Sequence, residues 1–233
     1  PSREVIADSI ELAVRGHCLD AVVLLVGCDK TIPAAAMALG RLNLPGLILY
    51  GGTILPGRCK DKAVTIQDVF EAVGAHSAGR IDEAELVEVE KAACPGAGAC
   101  GGQFTANTMA MVLTFLGLSP MGLNDIPAPA AEKRDAAQAC GEQVMRLFAN
   151  NGPLPREIIT AESLRNAARA VSATAGSTNA ALHLLAIAHE AGVAFDLEEF
   201  QAASEVPVIA DLKPGGRYTA AELYTMGGTA LVA

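Results

Sequence analysis

The chain has 233 residues, of which 51% are hydrophobic and only 18% charged, so it is long and apolar enough to bury a substantial core. Its formal net charge of −9, with no basic block, argues against nucleic acid as a partner. No apolar segment reaches the length of a membrane span, and no signal peptide is recognisable. We therefore expect neither a nucleic-acid nor a membrane partner, and a cytoplasmic location (an organelle matrix in a eukaryote).

The first part of the chain alternates helix and strand patterns. Apolar residues at helical spacing predict an amphipathic helix over Ser2–His17. The short, β-branched run Ala21–Val26 predicts a strand buried on both faces. Pro33, in a first-turn position, opens a predicted helix at Ala34–Leu42, and a second strand is predicted within Leu44–Gly52. Two strands separated by such a helix predict a right-handed, parallel βαβ unit.

The remainder of the chain is mainly helical in pattern. A polar loop is predicted over residues 53–62, a strand at Val206–Ala210 and a turn at residues 213–216. A few strands with many helices indicate an α/β fold. Helices are predicted at Ile66–Ala75, Asp82–Ala93, Thr105–Leu116, Ala128–Asn150, Ala161–Ala173, Thr178–Ala191 and, near the end, Ala220–Tyr224.

Six cysteines are present, and we expect them to be reduced because a chain of this size needs no disulfides for stability. No Cys-x-x-Cys occurs, which removes the common zinc-ribbon and thioredoxin interpretations. Cys18 and Cys140 lie within helical patterns and are predicted to be core residues, whereas Cys59 is predicted on an exposed loop. Cys28 and Cys100 differ from these because each lies in a glycine-containing break between regular elements.

The first of these breaks places a thiol, a carboxylate and an amine at three consecutive positions, Cys28, Asp29 and Lys30. They lie between a predicted strand and a predicted helix. In open α/β sheets, ligands bind beyond the carboxyl ends of the strands, and a helix N-terminus there favours anions. The pattern therefore predicts a site for chemistry at this turn.

The second break contains Gly96, Gly98 and Gly101, which match the dinucleotide-binding spacing G-x-G-x-x-G. That fingerprint requires a strand immediately before it, whereas Asp82–Ala93 is charged and helical in period. Glycine-rich backbone beside Cys100 could instead surround an iron–sulfur cluster, whose sulfur atoms accept hydrogen bonds from backbone amides. The other interpretation is a buried loop cysteine beside a tight turn, and spacing alone favours it.

Four long motifs change that balance. They are Gly-Cys-Asp-Lys-Thr-Ile-Pro-Ala-Ala-Ala-Met-Ala from Gly27, Ala-Cys-Pro-Gly-Ala-Gly-Ala-Cys-Gly-Gly-Gln-Phe-Thr-Ala-Asn-Thr-Met from Ala93, Gly-Ser-Thr-Asn-Ala-Ala-Leu-His-Leu from Gly176, and Pro-Val-Ile-Ala-Asp-Leu-Lys-Pro-Gly-Gly-Arg-Tyr from Pro207. In sequence and order they resemble the dihydroxy-acid dehydratase family, which also contains sugar-acid and phosphogluconate dehydratases. The first two motifs look most like the branched-chain amino-acid enzyme.

The resemblance implies a set of ligands on this chain. Cys28 and Cys100 would bind an iron–sulfur cluster, 2Fe–2S rather than 4Fe–4S, while Cys94 would not be a ligand. Asp29 would bind Mg²⁺, and Lys30, carbamylated on its amine, would supply that ion with a further oxygen, since an ammonium cannot be a ligand. Further ligands would lie before Pro1.

The resemblance also implies what the chain lacks. A Mg²⁺-binding glutamate and the serine base would lie in a β-rich second domain after Ala233, so no catalytic base is expected here. Residues 1–233 would then form a single α/β domain, incomplete at both ends, with a mostly parallel sheet and helices on both faces. Such a chain alone would be inactive.

The implied whole protein is a homodimeric hydro-lyase that converts a small 2,3-dihydroxy acid into a 2-keto acid in valine and isoleucine biosynthesis. The alternatives are a sugar-acid (aldonate or phosphogluconate) dehydratase and a non-catalytic fragment of the same fold.

The histidines have weaker claims to a site. His183 and His189 are six residues apart in one predicted helix and do not share a face well, which favours structural or surface roles. His17 and His76 are predicted to end helices, where a cation is favourable.

Overall fold

The computed structural model describes all 233 residues, which form twelve helices and four short strands. In chain order these are α1 (Ser2–Gly16), β1 (Val22–Val26), α2 (Thr31–Leu42), β2 (Gly46–Tyr50), β3 (Gly57–Cys59), β4 (Lys62–Val64), α3 (Ile66–Ser77), α4 (Glu83–Ala93), α5 (Thr105–Leu116), α6 (Glu132–Ala149), α7 (Pro155–Ile158), α8 (Ala161–Ala173), α9 (Asn179–Ala191), α10 (Leu197–Ala203), α11 (Ala220–Met226) and α12 (Thr229–Val232).

The strands form two separate two-stranded sheets. β1 and β2 pair in parallel, from Val22 opposite Gly46 to Val26 opposite Tyr50, with α2 as the crossover, so the predicted parallel βαβ unit is confirmed. β3 and β4 form an antiparallel hairpin. The fold is therefore mixed α/β and dominated by helix, and the expectation of a mostly parallel sheet is not confirmed, because the sheets are small and one of the two is antiparallel.

The two parallel strands differ in burial. All five residues of β2 are buried. In β1, by contrast, Val23 and Leu25 are 37% and 74% exposed, so the prediction of a first strand buried on both faces is wrong. Side chains of a strand alternate between faces, and only the face of β1 that carries Val22, Leu24 and Val26 packs on the main core.

Strand β2 separates two groups of helices. Ile48 and Tyr50 point into the main core, which is built largely from α2, α5, α8 and α9. On the opposite face, Leu49 packs with Cys140 of α6, which confirms the prediction that this cysteine is a core residue. Layers on both sides of β2 hold its carboxyl end in place.

Small side chains allow the core helices to approach one another closely. Helix α2 consists almost entirely of buried residues, six of them Ala, Gly or Pro. A Cβ on Gly40 of α2 would lie 3.4 Å from the backbone of Ala191 in α9, so a larger residue would press these helices apart. None of the twelve helices combines the length and apolar character needed to cross a bilayer.

Three cysteine and strand predictions are wrong. Val206–Ala210 is irregular, because no strand lies beside it to complete a ladder; Ile209 instead donates its N–H to the Ala173 carbonyl. Cys59 is buried rather than exposed, since the predicted loop 53–62 contains the strand β3 and Cys59 packs with the hairpin. Cys18 is exposed, just beyond the end of α1, and not in the core.

Candidate functional site

The Cys28–Lys30 turn lies beyond the carboxyl end of β1, directly before α2. Thr31 holds its shape: the hydroxyl oxygen accepts a hydrogen bond from the Cys28 N–H at 2.9 Å, and the hydroxyl donates to the Cys28 carbonyl at 3.0 Å. The thiol of Cys28 is in an exposed residue. The site predicted from the strand–turn–helix pattern thus has the expected backbone setting, and Thr31, a structural part of it, was missed.

The loop that carries Cys100 is fastened to the chain just after β2. Ala99 and Thr53 form an isolated parallel bridge, with the Ile54 N–H donating to the Ala99 carbonyl at 2.8 Å. The Thr53 hydroxyl donates to the Cys100 carbonyl at 2.7 Å. Since Gly51 in turn donates its N–H to the Val26 carbonyl of β1, both cysteine-bearing turns lie at the carboxyl edge of the parallel strands.

Gly98 of the second motif is required because the backbone of Ile54 passes close to it. Gly98 has φ +128°, and a Cβ there would overlap the backbone of Ile54. The segment before it is helix α4 and not a strand, so the structural context that the dinucleotide fingerprint requires is absent, as the sequence indicated.

Asn107 closes the same loop from the first turns of α5. Its side-chain amide is buried and donates to the carbonyls of Cys100 and Gly102, the latter at 2.6 Å. Sequence reasoning missed this residue, although a lone amide inside the otherwise apolar segment Thr105–Leu116 was a signal for it.

The two thiols lie in different surroundings. Cys100 is half-buried and packs against the main core, and burial together with nearby Cys28 raises the pKa of its thiol. Asp29 and Cys94 also act electrostatically on Cys100. The structure therefore brings Cys28, Asp29 and Cys100 into one electrostatic neighbourhood, although Asp29 and Cys100 are 71 positions apart in sequence.

Asp29 and Lys30 form an ion pair, with the Lys30 ammonium donating from Nζ to Oδ2 of Asp29 at 2.7 Å. This hydrogen bond lowers the pKa of the Asp29 carboxyl, so the carboxylate is ionised at neutral pH. Each side chain is about two-fifths exposed and accessible to a ligand (41% for Lys30, 39% for Asp29).

A buried hydroxyl completes this neighbourhood. Tyr50, the last residue of β2, is 1% exposed, and its hydroxyl has no hydrogen-bond partner. Burial, with smaller contributions from Cys100 and Cys28, raises the pKa of Tyr50 far above its usual range. Sequence reasoning did not single out Tyr50, because its position relative to the thiols depends on the strand pairing.

His183 is buried and not a surface residue. Nη1 of Arg3 lies 3.1 Å from Nδ1 of His183, and because arginine only donates, Nδ1 accepts and the ring proton is on Nε2. Burial lowers the pKa of His183 to about 4, and Lys30 and Asp29 lie close enough to influence it. His189 on the same helix is exposed, while His17 and His76 lie at helix ends as predicted.

The donor set fits part of an iron–sulfur and magnesium site. Two thiols and an unpartnered hydroxyl suit a sulfur-ligated cluster, and an ionised carboxylate suits a hard cation. No three His, Cys, Asp or Glu side chains are grouped so that they alone could hold a metal ion. Any metal bound by these residues therefore needs additional ligands.

The fold and the site define a mixed α/β domain whose two cysteine-bearing turns lie at the carboxyl edge of a parallel strand pair. A family model described as "Dihydroxy-acid/6-phosphogluconate dehydratase N-terminal" matches residues 1–233. The chain belongs to this family, and the resemblance inferred from its four motifs is confirmed.

Curated relatives carry matching names. The chain is 56% identical over 233 residues to a dihydroxy-acid dehydratase of Koribacter versatilis, covering 100% of this chain and 40% of the relative. It is 57% identical to "Dihydroxy-acid dehydratase 2" of Mesorhizobium japonicum (99% and 39% covered) and 56% identical to a dihydroxy-acid dehydratase of Thermus thermophilus (99% and 42%). The chain thus spans about two-fifths of the length of these relatives.

Proposed function

We propose that this chain is the cofactor-binding part of a hydro-lyase that removes water from a 2,3-dihydroxy carboxylic acid to give a 2-keto acid, in branched-chain amino-acid biosynthesis. The observation that carries the proposal is the placement of Cys28, Asp29 and Cys100 at one edge of the β1–β2 pair. The names of the relatives support the same reaction. As a whole protein we propose a homodimer.

In this proposal Cys28 and Cys100 supply two sulfur ligands of an iron–sulfur cluster, 2Fe–2S in preference to 4Fe–4S. Asp29 supplies an oxygen ligand of Mg²⁺. When bound, the cluster and the magnesium ion provide Lewis acidity toward the departing C3 hydroxyl and toward the carboxylate and C2 hydroxyl of the substrate.

The protein groups of this chain hold those ligands in place. Thr31 fixes the backbone of Cys28, and Thr53 and Asn107 fix the backbone of Cys100 through its carbonyl. Because these hydrogen bonds are made within the domain, the thiols are held by the protein itself. Preorganised ligands lower the conformational cost of binding a cofactor.

Lys30 has two possible states in the proposed site. As an ammonium it donates to Asp29, the arrangement seen in the structure. As a carbamate it would carry anionic oxygens and no ammonium, so it would release Asp29 from this pair and add an oxygen ligand for Mg²⁺. We propose the carbamate as the active state, because an ammonium beside Asp29 competes with a cation for the carboxylate.

The second candidate is a dehydratase of sugar acids, because the family description includes 6-phosphogluconate dehydratases. The two candidates differ in substrate polarity: one acts on a small branched acid, and the other on a polyhydroxylated, in one case phosphorylated, acid. The relatives described above are named for the dihydroxy acid, which favours the first candidate.

The test uses the full-length protein purified without oxygen. We expect bound iron and sulfide, bound magnesium, and keto-acid formation from a branched 2,3-dihydroxy acid in preference to 6-phosphogluconate. Cys100→Ser should lose the cluster and the activity, whereas Cys140→Ser, a change in the buried α6 interface, should keep both. Preference for 6-phosphogluconate would support the second candidate. Wild-type protein with no cluster and no keto acid from either substrate would contradict both.

A further inference from the structure

The backbone of Tyr50 is held from both sides. Its N–H donates to Oδ1 of Asn124 at 2.9 Å, and its carbonyl accepts from Nζ of Lys133 at 3.1 Å. Asn124 is itself buried and donates from Nδ2 to the Ala110 carbonyl in α5. With its backbone fixed in this way and its neighbours in β2 pointing to the opposite face, the Tyr50 ring is directed into the main core.

The hydroxyl of this ring lies in the core without a partner. Removing a hydroxyl from water without replacing its hydrogen bond is costly, and native proteins rarely leave such a group unpaired. A phenylalanine would fill the same space at no such cost. An acceptor that is not a protein group would satisfy this hydroxyl and account for tyrosine rather than phenylalanine at this position.

The two cysteines of the proposed site lie on turns beside the end of β2. Tyr50 pairs with Val26, two residues before Cys28, and Thr53, three residues after Tyr50, is bridged to Ala99 next to Cys100. Cys100 also packs against the buried cluster that contains Tyr50. The strand pairing and the bridge thus place the Cys28 and Cys100 turns beside Tyr50, the last residue of β2.

Resting on the proposed function, we infer that the Tyr50 hydroxyl donates a hydrogen bond to a sulfur atom of the iron–sulfur cluster when that cluster is bound at the Cys28–Cys100 site. Tyr50 is then a positioning and tuning residue and not a ligand. A hydroxyl directed at sulfur stabilises added negative charge, so it raises the reduction potential of the cluster. In this arrangement the Tyr50 hydroxyl has a hydrogen-bond partner only when the cluster is bound.

The test is Tyr50→Phe in the full-length protein, with Tyr224→Phe on α11 as the matched control. We expect both variants to bind iron and sulfide at the wild-type stoichiometry. The reduction potential of the cluster, followed by its visible absorbance or by electron paramagnetic resonance, should shift to more negative values in Tyr50→Phe and stay at the wild-type value in Tyr224→Phe. An unchanged potential in Tyr50→Phe would overturn the inference while leaving the proposed function intact.

A second readout needs no activity and no cluster. In cluster-free protein, Tyr50→Phe should be at least as resistant to urea as the wild type, because it removes an unsatisfied group. Lower resistance, or failure of the variant to fold, would mean that the hydroxyl has a protein partner and that the inference is wrong. A wild-type protein that binds no cluster at all would overturn the proposed function and this inference together.

Discussion

Two turns of this chain contain the same three residue types, and only one of them resembles a site. Cys28-Asp29-Lys30 comes after β1, and Cys59-Lys60-Asp61 lies at the tip of the β3–β4 hairpin. At the first turn the cysteine is exposed, whereas Cys59 is 8% exposed and packs with Val64 and Ala93.

The difference arises from the element to which each strand connects. A parallel strand that leads into a helix leaves its carboxyl end open, so side chains of the turn face outward beside a neighbouring strand end. A hairpin instead folds back on itself, and Cys59 is covered as it pairs with Lys62 in the ladder. Residue type alone therefore does not distinguish the two turns; their position relative to the sheet does.

The largest difference between the two turns should appear on removing each thiol. In the full-length protein, Cys28→Ser should abolish the bound cluster and keto-acid formation while leaving the fold largely intact, because the thiol is exposed and packs against no core. Cys59→Ser should keep the cluster and lower only the stability, because it buries a hydroxyl among apolar groups. Iron and sulfide analysis together with thermal unfolding checks both; a Cys28→Ser protein with full cluster content would contradict the assignment.

The lysines provide the next comparison. Lys30→Arg keeps a positive charge but cannot be carbamylated, so we expect Mg²⁺ affinity and turnover to fall by at least about tenfold, the lower range for loss of a metal-supporting group. Lys60→Arg should change neither, since Lys60 pairs with Glu85 in an exposed hairpin. Bicarbonate should raise the activity of the wild type and not that of Lys30→Arg. Wild-type turnover in Lys30→Arg would show that Lys30 acts as an ordinary cation.

Acidification should lower the stability of the protein near the Cys28–Lys30 turn. His183, the only buried histidine, lies close enough to Lys30 and Asp29 for both to influence its pKa. Its folded-state pKa of about 4 lies below the unfolded value of about 6.5. The unfolded chain therefore binds more protons between these values, and stability that is complete above pH 6.5 is lost as the pH falls toward 4. The loss should be roughly 2–3 kcal/mol.

Four charged groups act on the His183 ring: Arg3 and Lys30 lower its pKa, and Asp29 and Glu4 oppose them. His183→Gln should flatten the dependence of the unfolding midpoint on pH between 6.5 and 4 in cluster-free, full-length protein. The exposed His189→Gln on the same helix should not. Equal slopes in the wild type and His183→Gln would refute the buried neutral histidine.

The smallest effects concern the threonines that stabilise each turn. Thr31→Val removes the hydroxyl that binds the backbone of Cys28 and should lower the free energy of unfolding by about 1 kcal/mol. Thr65→Val, which removes the hydroxyl that donates to Oδ2 of Asp68 at the start of α3, should cost a similar amount. Only Thr31→Val should also speed the loss of cluster absorbance in air. Equal rates of loss in the two variants would show that Thr31 does not support the cluster.

Local signals predicted much of the helical framework. The bounds of Thr105–Leu116 and Ala161–Ala173 agree with α5 and α8, and α4 begins directly after the Asp82 cap. Helix caps, apolar spacing and helix-breaking residues act within a few positions of each other, so the sequence alone reveals them. Helices α7, α10 and α12 have only 4, 7 and 4 residues, too few to show a helical period, and the sequence pattern did not predict them.

The sequence predicted strands and burial less well than helices. Val206–Ala210 has strand-like composition but no partner, and Cys59 lies in a polar stretch yet is buried. Both outcomes depend on neighbours distant in the chain. The same holds for Asn107, whose hydrogen bonds to the Cys100 loop identify its role.

By itself the sequence determined the family, the helical framework and the identity of Cys28, Asp29, Lys30 and Cys100 as site residues to test, because motifs and caps are local. Only the tertiary structure decided that the two cysteine turns meet at one sheet edge, that Tyr50 lies buried there with a free hydroxyl, and that Cys59 does not join them. The physical reason is that strand pairing and the burial of polar groups depend on residues far apart in sequence. Whether a buried hydroxyl has a hydrogen-bond partner depends on the same distant residues.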